Sequence, residues 1–445
     1  MKRNRMNSRR GHKLDKPKRT RHAAIPASIG RLTAFILVFG AIGSILLLVT
    51  HAASSTTGFS LSPQGGNVTG NASVVPDNTA IGGQALQFGA GPASGGGTGA
   101  GGNSGFIYAQ GTKLMQNGQQ YRSVSFNFSP VGSCWGSNWS TAQMDQFFAA
   151  IPSNSLARFF APPGGSDSVS FVQSIVKEAD KYNIHLLISL AVAGVYGQCD
   201  AGDSYSTSGG KSAGYYTAAV QPGSAYANWV KSVVTPLAND PGVAMWEIVN
   251  EPWHGGATID QAGGVSGATT YTNAAAALIR AAETAGAGSP KQLITLGPAD
   301  IGETGGVSGM ESIFKNIDVV DDHDYSGDLG GNTAYDSNEL SELEQIGKAL
   351  NKPYMIDEAG VEAGSNCSSS NVEGAWDNQS AGLTLQGRLN FLLTHKATDY
   401  MNAGLSYVGF WLYTTPGQEE SGCTYENIDP SDPIMAAVKS YQIPN

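Results

Sequence analysis

A (β/α)8 barrel is the fold class that this 445-residue chain predicts, and three observations carry it. Eight short, β-branched apolar runs recur between Tyr121 and Tyr413, and helix-like segments lie between most of them. No G-x-G-x-x-G follows a strand, which weakens the main alternative, a doubly wound sheet. The strand runs are "YRSVSFN" (121–127), "LARFFA" (156–161), "IHLLISLAV" (184–192) and "GVAMWEIVN" (242–250). "QLITLGPA" (292–299), "IDVVDDHDY" (317–325), "KPYMIDEA" (352–359) and "SYVGFWLY" (406–413) complete the set. Helices are expected over "SFVQSIVKEADKYN", "YTNAAAALIRAAETAG", "NELSELEQIGKALN" and "LQGRLNFLLTHKAT".

The barrel is expected over residues 106–445, behind three segments of different character. Residues 1–31 form a basic tail holding 11 of the 26 Lys and Arg and a single acid, Asp15. The rest of the chain carries 15 basic and 35 acidic residues, a net charge of −20, which argues against a nucleic-acid partner. Residues 32–52 read as a signal peptide or membrane anchor. The run Leu32 to Val49 is uncharged and just long enough to span a bilayer, and the positive charge ahead of it keeps the N-terminus in the cytoplasm. The following "THAAS" has the small residues of a signal-peptidase site, so cleavage and retention both stay open. Either way the body is exported, free outside the cell or anchored to the outer face of the membrane. Residues 53–105 are a Gly/Ser/Asn-rich, low-complexity linker, whose first part is either a bare spacer or the remnant of a β-sandwich.

The cysteines agree with export. Cys134, Cys199, Cys367 and Cys423 form no C-x-x-C pair and have no His at zinc-ligand spacing. Two disulfides are expected, with three pairings open; Cys134–Cys199 and Cys367–Cys423 join nearest neighbours.

In a parallel barrel the chemistry gathers where the strands end. Strand two carries Arg158, and strand four ends in Asn250 and Glu251. Strand six ends in His323 and Tyr325, strand seven in Asp357 and Glu358, and strand eight carries Trp411. Two carboxyl groups flanking a sugar ring are what glycosidic bond cleavage requires. Asp321, Asp322 and Asp324 lack the Gly and distal Glu of a calcium loop and are expected as a solvated acidic loop, so neither metal nor cofactor is expected.

"VNEPW", "DDHDY", "YMIDEAG" and "GFWLY", in that order, resemble glycoside hydrolase family 5, the cellulase and mannanase family. The opening "GTKLMQNGQQYRSVSFNF" is similar to the start of its mannanase-like members. The resemblance implies Glu251 as acid/base and Glu358 as nucleophile of a retaining hydrolase acting on a β-1,4-linked polysaccharide. It implies Asn250 on the sugar 2-hydroxyl, Tyr325 orienting Glu358, and His323 bonding substrate or acid/base. Arg158 would lie beneath the nucleophile, and Trp411 would floor the subsite. Many members carry a His at the end of strand three; "SLAVAGVYGQ" has none, which favours mannan over a cellulose-type glucan. A carbohydrate-binding pseudo-enzyme is the competing class. The protein is expected to act as a monomer.

The physical reading adds details. Glu251 needs a raised pKa to hold its proton, with Trp253 and Trp411 as apolar walls. Pro252 should bias Glu251 towards an extended backbone. Asp357 should face the opposite side of its strand from Glu358. Trp135, Trp139 and Trp376 are either sugar platforms or core, and His254 is a candidate loop contact. Glu362 and the pair Glu419–Glu420 are expected to be exposed.

Overall fold

A computed structural model describes residues 105–131, 138–162, 169–192, 213–254, 258–289, 291–327, 338–370, 382–415, 423 and 426–444, and the two strands of a hairpin. The basic tail, the apolar run, Cys134, Trp135, Cys199, Trp376 and Glu419–Glu420 lie outside the described residues. Among the described residues no helix is long and apolar enough to cross a membrane.

The chain divides into two compact units, Met1–Gly95 and Gly96–Asn445. In the first, β1 (Ala72–Pro76) and β2 (Gln84–Phe88) pair antiparallel. The second begins with a small antiparallel sheet of β3 (Ile107–Gln110), β4 (Lys113–Gln116) and β5 (Gln119–Tyr121).

Eight parallel strands follow: β6 (Ser123–Phe128), β7 (Leu156–Phe160), β8 (His185–Ser189), β9 (Val243–Glu247), β10 (Leu293–Thr295), β11 (Val320–Asp324), β12 (Tyr354–Ala359) and β13 (Tyr407–Tyr413). Seven lie within their apolar runs, and β6 runs one residue past its own, to Phe128. Their order, β10-β9-β8-β7-β6-β13-β12-β11, puts β10 and β11 at the two ends. Those ends are laced together: Asp318 N and Val319 N donate to Ile294 O at 3.0 and 3.2 Å. The Asp321 carboxylate accepts from Leu296 N at 3.3 Å and Gly297 N at 2.8 Å. A side chain thus completes the closure of the barrel.

The principal helices are α1 (Thr141–Ala150), α2 (Val169–Lys181), α3 (Ala213–Ala219), α4 (Ala225–Leu237), α5 (Gly264–Ala287), α6 (Gly306–Ile313) and α7 (Asn338–Leu350). They continue with α8 (Leu385–Phe391), a π turn at Leu392–Thr398, α9 (Asp399–Asn402) and α10 (Pro433–Ser440). Local chemistry starts them: Ser140 and Gln143 form a reciprocal capping box on α1, and Asp432 caps α10 ahead of Pro433. The main core lies between helices and barrel. In it Phe147 stacks on Phe128 with centroids 4.5 Å apart, and Trp139 sits edge-on to Phe147 and Tyr413. Trp139 is therefore core and not a sugar platform. Each such ring contributes roughly 1.5–3 kcal/mol by leaving water.

The barrel interior is layered. At its floor Leu156, Leu187, Met245, Leu293, Val319, Met355 and Tyr407 pack against Ile107, Leu114 and Tyr121 of the β3–β5 sheet. That sheet seals the N-terminal end of the barrel, and above the apolar floor the interior becomes polar.

One irregularity decides what faces inward. Asp322 pairs with Ile356 but His323 pairs with Glu358, so Asp357 is an extra residue, a β-bulge in β12. The expectation that Asp357 and Glu358 face opposite sides is overturned, because alternation does not survive a bulge. Both carboxyls meet Arg158 inside the barrel.

Candidate active site

Arg158, fully buried on β7, organises the polar layer. Its Nε and Nη2 donate to the two oxygens of Glu247 at 2.5 and 2.7 Å, a forked pair. Nη1 reaches Asn127 Oδ1 at 2.9 Å and also donates to Glu358 Oε1. Nη2 donates to Asn250 Oδ1 at 2.7 Å, and the guanidinium lies 4.8 Å from the Phe160 ring centroid. Burial works against the Arg158 charge, but Glu247, Glu358 and Asp357 more than offset this and hold it protonated. Arg158 thus pairs directly with Glu358 from inside the barrel.

Above this layer the two glutamates meet. Tyr325 Oη donates to Glu358 Oε2 at 2.7 Å. Gly360, two residues past Glu358, leaves room for that ring: a Cβ there would fall 2.6 Å from Tyr325 Cε1. His323 Nδ1 lies 3.1 Å from Glu251 Oε1 and 3.4 Å from Glu358 Oε2. Donor atoms of Glu251, His323 and Glu358 all fall within 4.8 Å of one another.

Glu251 departs from the expected backbone. Its φ is +48°, in the left-handed region, rather than extended. Glu251 N donates to Gly297 O at 2.6 Å, while Asn250 N bonds Ala191 O, so neighbouring strand ends turn the chain before Pro252 can extend it. A non-glycine residue there costs roughly 1–2 kcal/mol, a strain typical of functional positions. The turn aims the carboxyl at His323.

The proton order also differs from expectation. Burial pushes the Glu251 carboxyl up, but the His323 hydrogen bond and the charges of His323, His254 and Arg158 outweigh it and hold Glu251 below its ordinary value. Burial raises Glu358, reinforced by Glu251 and only partly opposed by His323, Arg158 and Tyr325. Burial disfavours the His323 imidazolium, yet Glu358 and Glu251 raise it above the ordinary histidine value. Both shifts favour the imidazole between the carboxylates over Glu251 as the holder of the proton, opposite to the raised Glu251 that was expected. Trp253 supplies no sugar-facing wall: it is 2% exposed and belongs to the main core.

Trp411 is half-buried, with its ring 5.5 Å from Phe160 and beside Val192. The Trp411–Leu412 peptide is cis. His254 pairs with Glu303 at 2.9 Å, a bond that raises it to about 9 against the opposing effect of burial.

Two carboxylate-containing trios bring their donor atoms close enough for a cation: Glu251, His323 and Glu358, and Glu247, Asp321 and Asp357. Both sets contact the Arg158 guanidinium, whose fixed charge opposes a cation there.

The acidic run of β11 is not solvated. Asp321, Asp322 and Asp324 are fully buried, because the run is a barrel strand and not a loop. Asp321 faces the interior, and Asp324 Oδ2 pairs with Lys396 Nζ at 2.5 Å. Glu362 is buried too, in a segment folded back through the Ala363–Leu383 bridge. Cys367 and Cys423 form a disulfide, as one of the open pairings had it. Sequence reasoning missed Glu247, Asn127 and Phe160. A charged residue inside the apolar run "AMWEIV" was the available signal for Glu247.

No family model matches this chain, and no curated protein matches it. Among solved structures, the endo-1,4-β-mannanase of Rhizomucor miehei superposes with a TM-score of 0.52 at 16% identity, covering 75% of this chain and 97% of that one. A mutant glycoside hydrolase family 5 mannosidase from the same organism gives a TM-score of 0.49 at 14% identity, over 75% and 96% of the two chains. The endo-β-1,4-mannanase of Thermotoga petrophila gives 0.47 at 13%, over 72% and 76%. At such identities the likeness establishes the barrel fold alone.

Proposed function

We propose that this protein is a retaining β-glycoside hydrolase of the family 5 type, with Glu358 as nucleophile and Glu251 as acid/base. The observation that carries the reading is the pair itself: two carboxyls from β12 and the end of β9, within 4.8 Å at their oxygens, one gripped by Arg158 and Tyr325. That spacing suits double displacement, for which about 5–5.5 Å is usual, and is too short to seat the water of an inverting enzyme.

In this reading Glu358 attacks the anomeric carbon while Glu251 protonates the departing oxygen. The glycosyl-enzyme is then opened by a water that Glu251 deprotonates. In this reading the acid proton rests on the His323 side of the 3.1 Å contact, the side that the lowered Glu251 and the raised His323 favour. It passes from Nδ1 to Glu251 Oε1, so His323 reloads the acid. Asn250, held by Arg158 through Oδ1, keeps its amide N–H groups for the sugar 2-hydroxyl. Trp411 offers its face to the sugar ring.

A β-1,4-linked mannan is the first substrate to test and a cellulose-type glucan the second. The absent strand-three His and the mannanase names of similar folds support that order. Wild type, E251A and E358A are to be compared on mannan, carboxymethyl cellulose and xylan. Each variant should lose at least about a thousandfold in kcat, and azide should restore E358A by forming the inverted glycosyl azide. Unimpaired variants would refute the reading, and binding without wild-type turnover would favour a pseudo-enzyme.

We also propose export, supported by the basic head, the apolar run and the Cys367–Cys423 disulfide. N-terminal sequencing of the mature protein separates a cleaved signal from a retained anchor, and a cytoplasmic product would contradict export.

A further inference from the structure

The β12 bulge turns into the barrel a carboxyl, Asp357, that the proposed reaction does not use. Asp357 is fully buried, and around it stand Arg158 from β7, Glu247 from β9, Asp321 and His323 from β11, Glu358 beside it, and Tyr407 from β13. Four of these interior groups, Glu247, Asp321, Asp357 and Glu358, are carboxyls, and three of them crowd the one Arg158 guanidinium. So many unpaired negative charges cannot stay buried, and a proton must settle on the least supported one.

Hydrogen bonding selects that carboxyl. Glu247 holds two bonds from Arg158. Asp321 accepts two backbone N–H groups, and Glu358 accepts from Arg158 and Tyr325. Neither oxygen of Asp357 accepts a hydrogen bond among the described residues. Its Oδ2 lies 3.2 Å from Arg158 Nε, whose hydrogen is committed to Glu247. Its Oδ1 faces His323 Nε2 at 3.6 Å, on the side of the ring away from the glutamates. Burial, reinforced by the charge of Asp321, pushes Asp357 well above the ordinary carboxylate range, in agreement with the bonding pattern.

We propose that Asp357 is a positioning residue, held as a neutral carboxylic acid, that leaves the His323 proton free to reach Glu251. The inference rests on the hydrolase reading, in which Glu251 must be protonated to act. With Asp357 neutral, the Nδ1 proton of the imidazolium moves to Glu251 Oε1. The N–H bond breaks as the O–H bond forms, and the neutral ring keeps Nε2–H directed at Asp357 Oδ1. When Asp357 loses its proton to water, its charge beside Nε2 fixes the imidazolium, Glu251 stays ionised, and the leaving group goes unprotonated. Ionisation of Asp357 therefore ends activity on the alkaline side.

The test compares the full-length wild type with D357N and with D357S, a smaller neutral variant in case the first packs badly. Infrared difference spectra at neutral pH should show a protonated-carboxylic-acid band in wild type that either variant lacks. The pH dependence of kcat/KM on a mannan oligosaccharide should show the alkaline limb moved up by about one pH unit in the variants, about tenfold more activity there than in wild type. A missing band overturns the proposal, as does a limb that stays put while activity falls equally at every pH. An inactive wild type overturns the hydrolase reading instead, and the infrared band still decides where the proton sits.

Discussion

Tyr325 and Glu358 make the most direct residue-scale contact of the site. The 2.7 Å bond from the phenol stabilises the ionised carboxylate, which burial otherwise opposes. Removing it in Y325F raises the Glu358 pKa further, and in the proposed mechanism Glu358 must be ionised to attack. The acidic limb of kcat/KM should therefore move to higher pH, with kcat down about 10- to 100-fold. An unmoved limb would mean that the bond does not act on the nucleophile. The glutamates were legible in the sequence because each ends an apolar run on a polar tip, and only a cleft makes sense of that. Their proton order was not legible. It depends on an imidazole 3.1 Å from one carboxylate and 3.4 Å from the other, and no spacing in the sequence encodes that placement.

Among the elements, β10 and β12 do the positioning. The β12 bulge turns two consecutive acids inward, and β10 leads into Gly297, two residues past its end, where φ is +91°. A Cβ at Gly297 would come within 2.5 Å of Glu247 Oε1 and 2.6 Å of Val249 O, while Gly297 O holds the strained Glu251. G297A should thus push Glu247 off Arg158 and cost more than about 1 kcal/mol of stability, with a disproportionate loss of kcat. Urea unfolding beside kinetics checks both; a variant of wild-type stability and rate would show that the close approach is unimportant. All eight strands were readable, since β-branched runs bounded by polar segments leave few alternatives. The bulge was not: a single inserted residue leaves composition unchanged and only shifts the phase of alternation. The same limit hid the burial of Asp321, Asp322 and Asp324, whose charge suggested water although their neighbours are strand partners and Lys396.

At the scale of the molecule, the sealed barrel floor makes stability pH-dependent. His185 at the start of β8 has Nδ1 2.9 Å from Pro241 O and Nε2 2.7 Å from Gln116 Nε2, a donor, which fits a neutral ring. Burial pulls it down to about 4, with the Pro241 bond opposing. The unfolded chain, near 6.5, binds the proton more readily, so this stability is full above about pH 6.5 and is lost as pH falls towards 4, by roughly 3 kcal/mol. H185Q should flatten that slope between pH 7 and 4.5 in urea titrations; an unchanged slope would place the acid sensitivity elsewhere. The barrel as a whole brings together the ends of β9 and β12, more than a hundred residues apart in sequence, so that Glu251 and Glu358 meet. Its central claim is that Glu251 and Glu358 are close enough for double displacement. Proton NMR of the reducing end in the first moments of β-mannan hydrolysis tests this most directly. The account predicts that the β-anomer appears first and then mutarotates; first appearance of the α-anomer would contradict it.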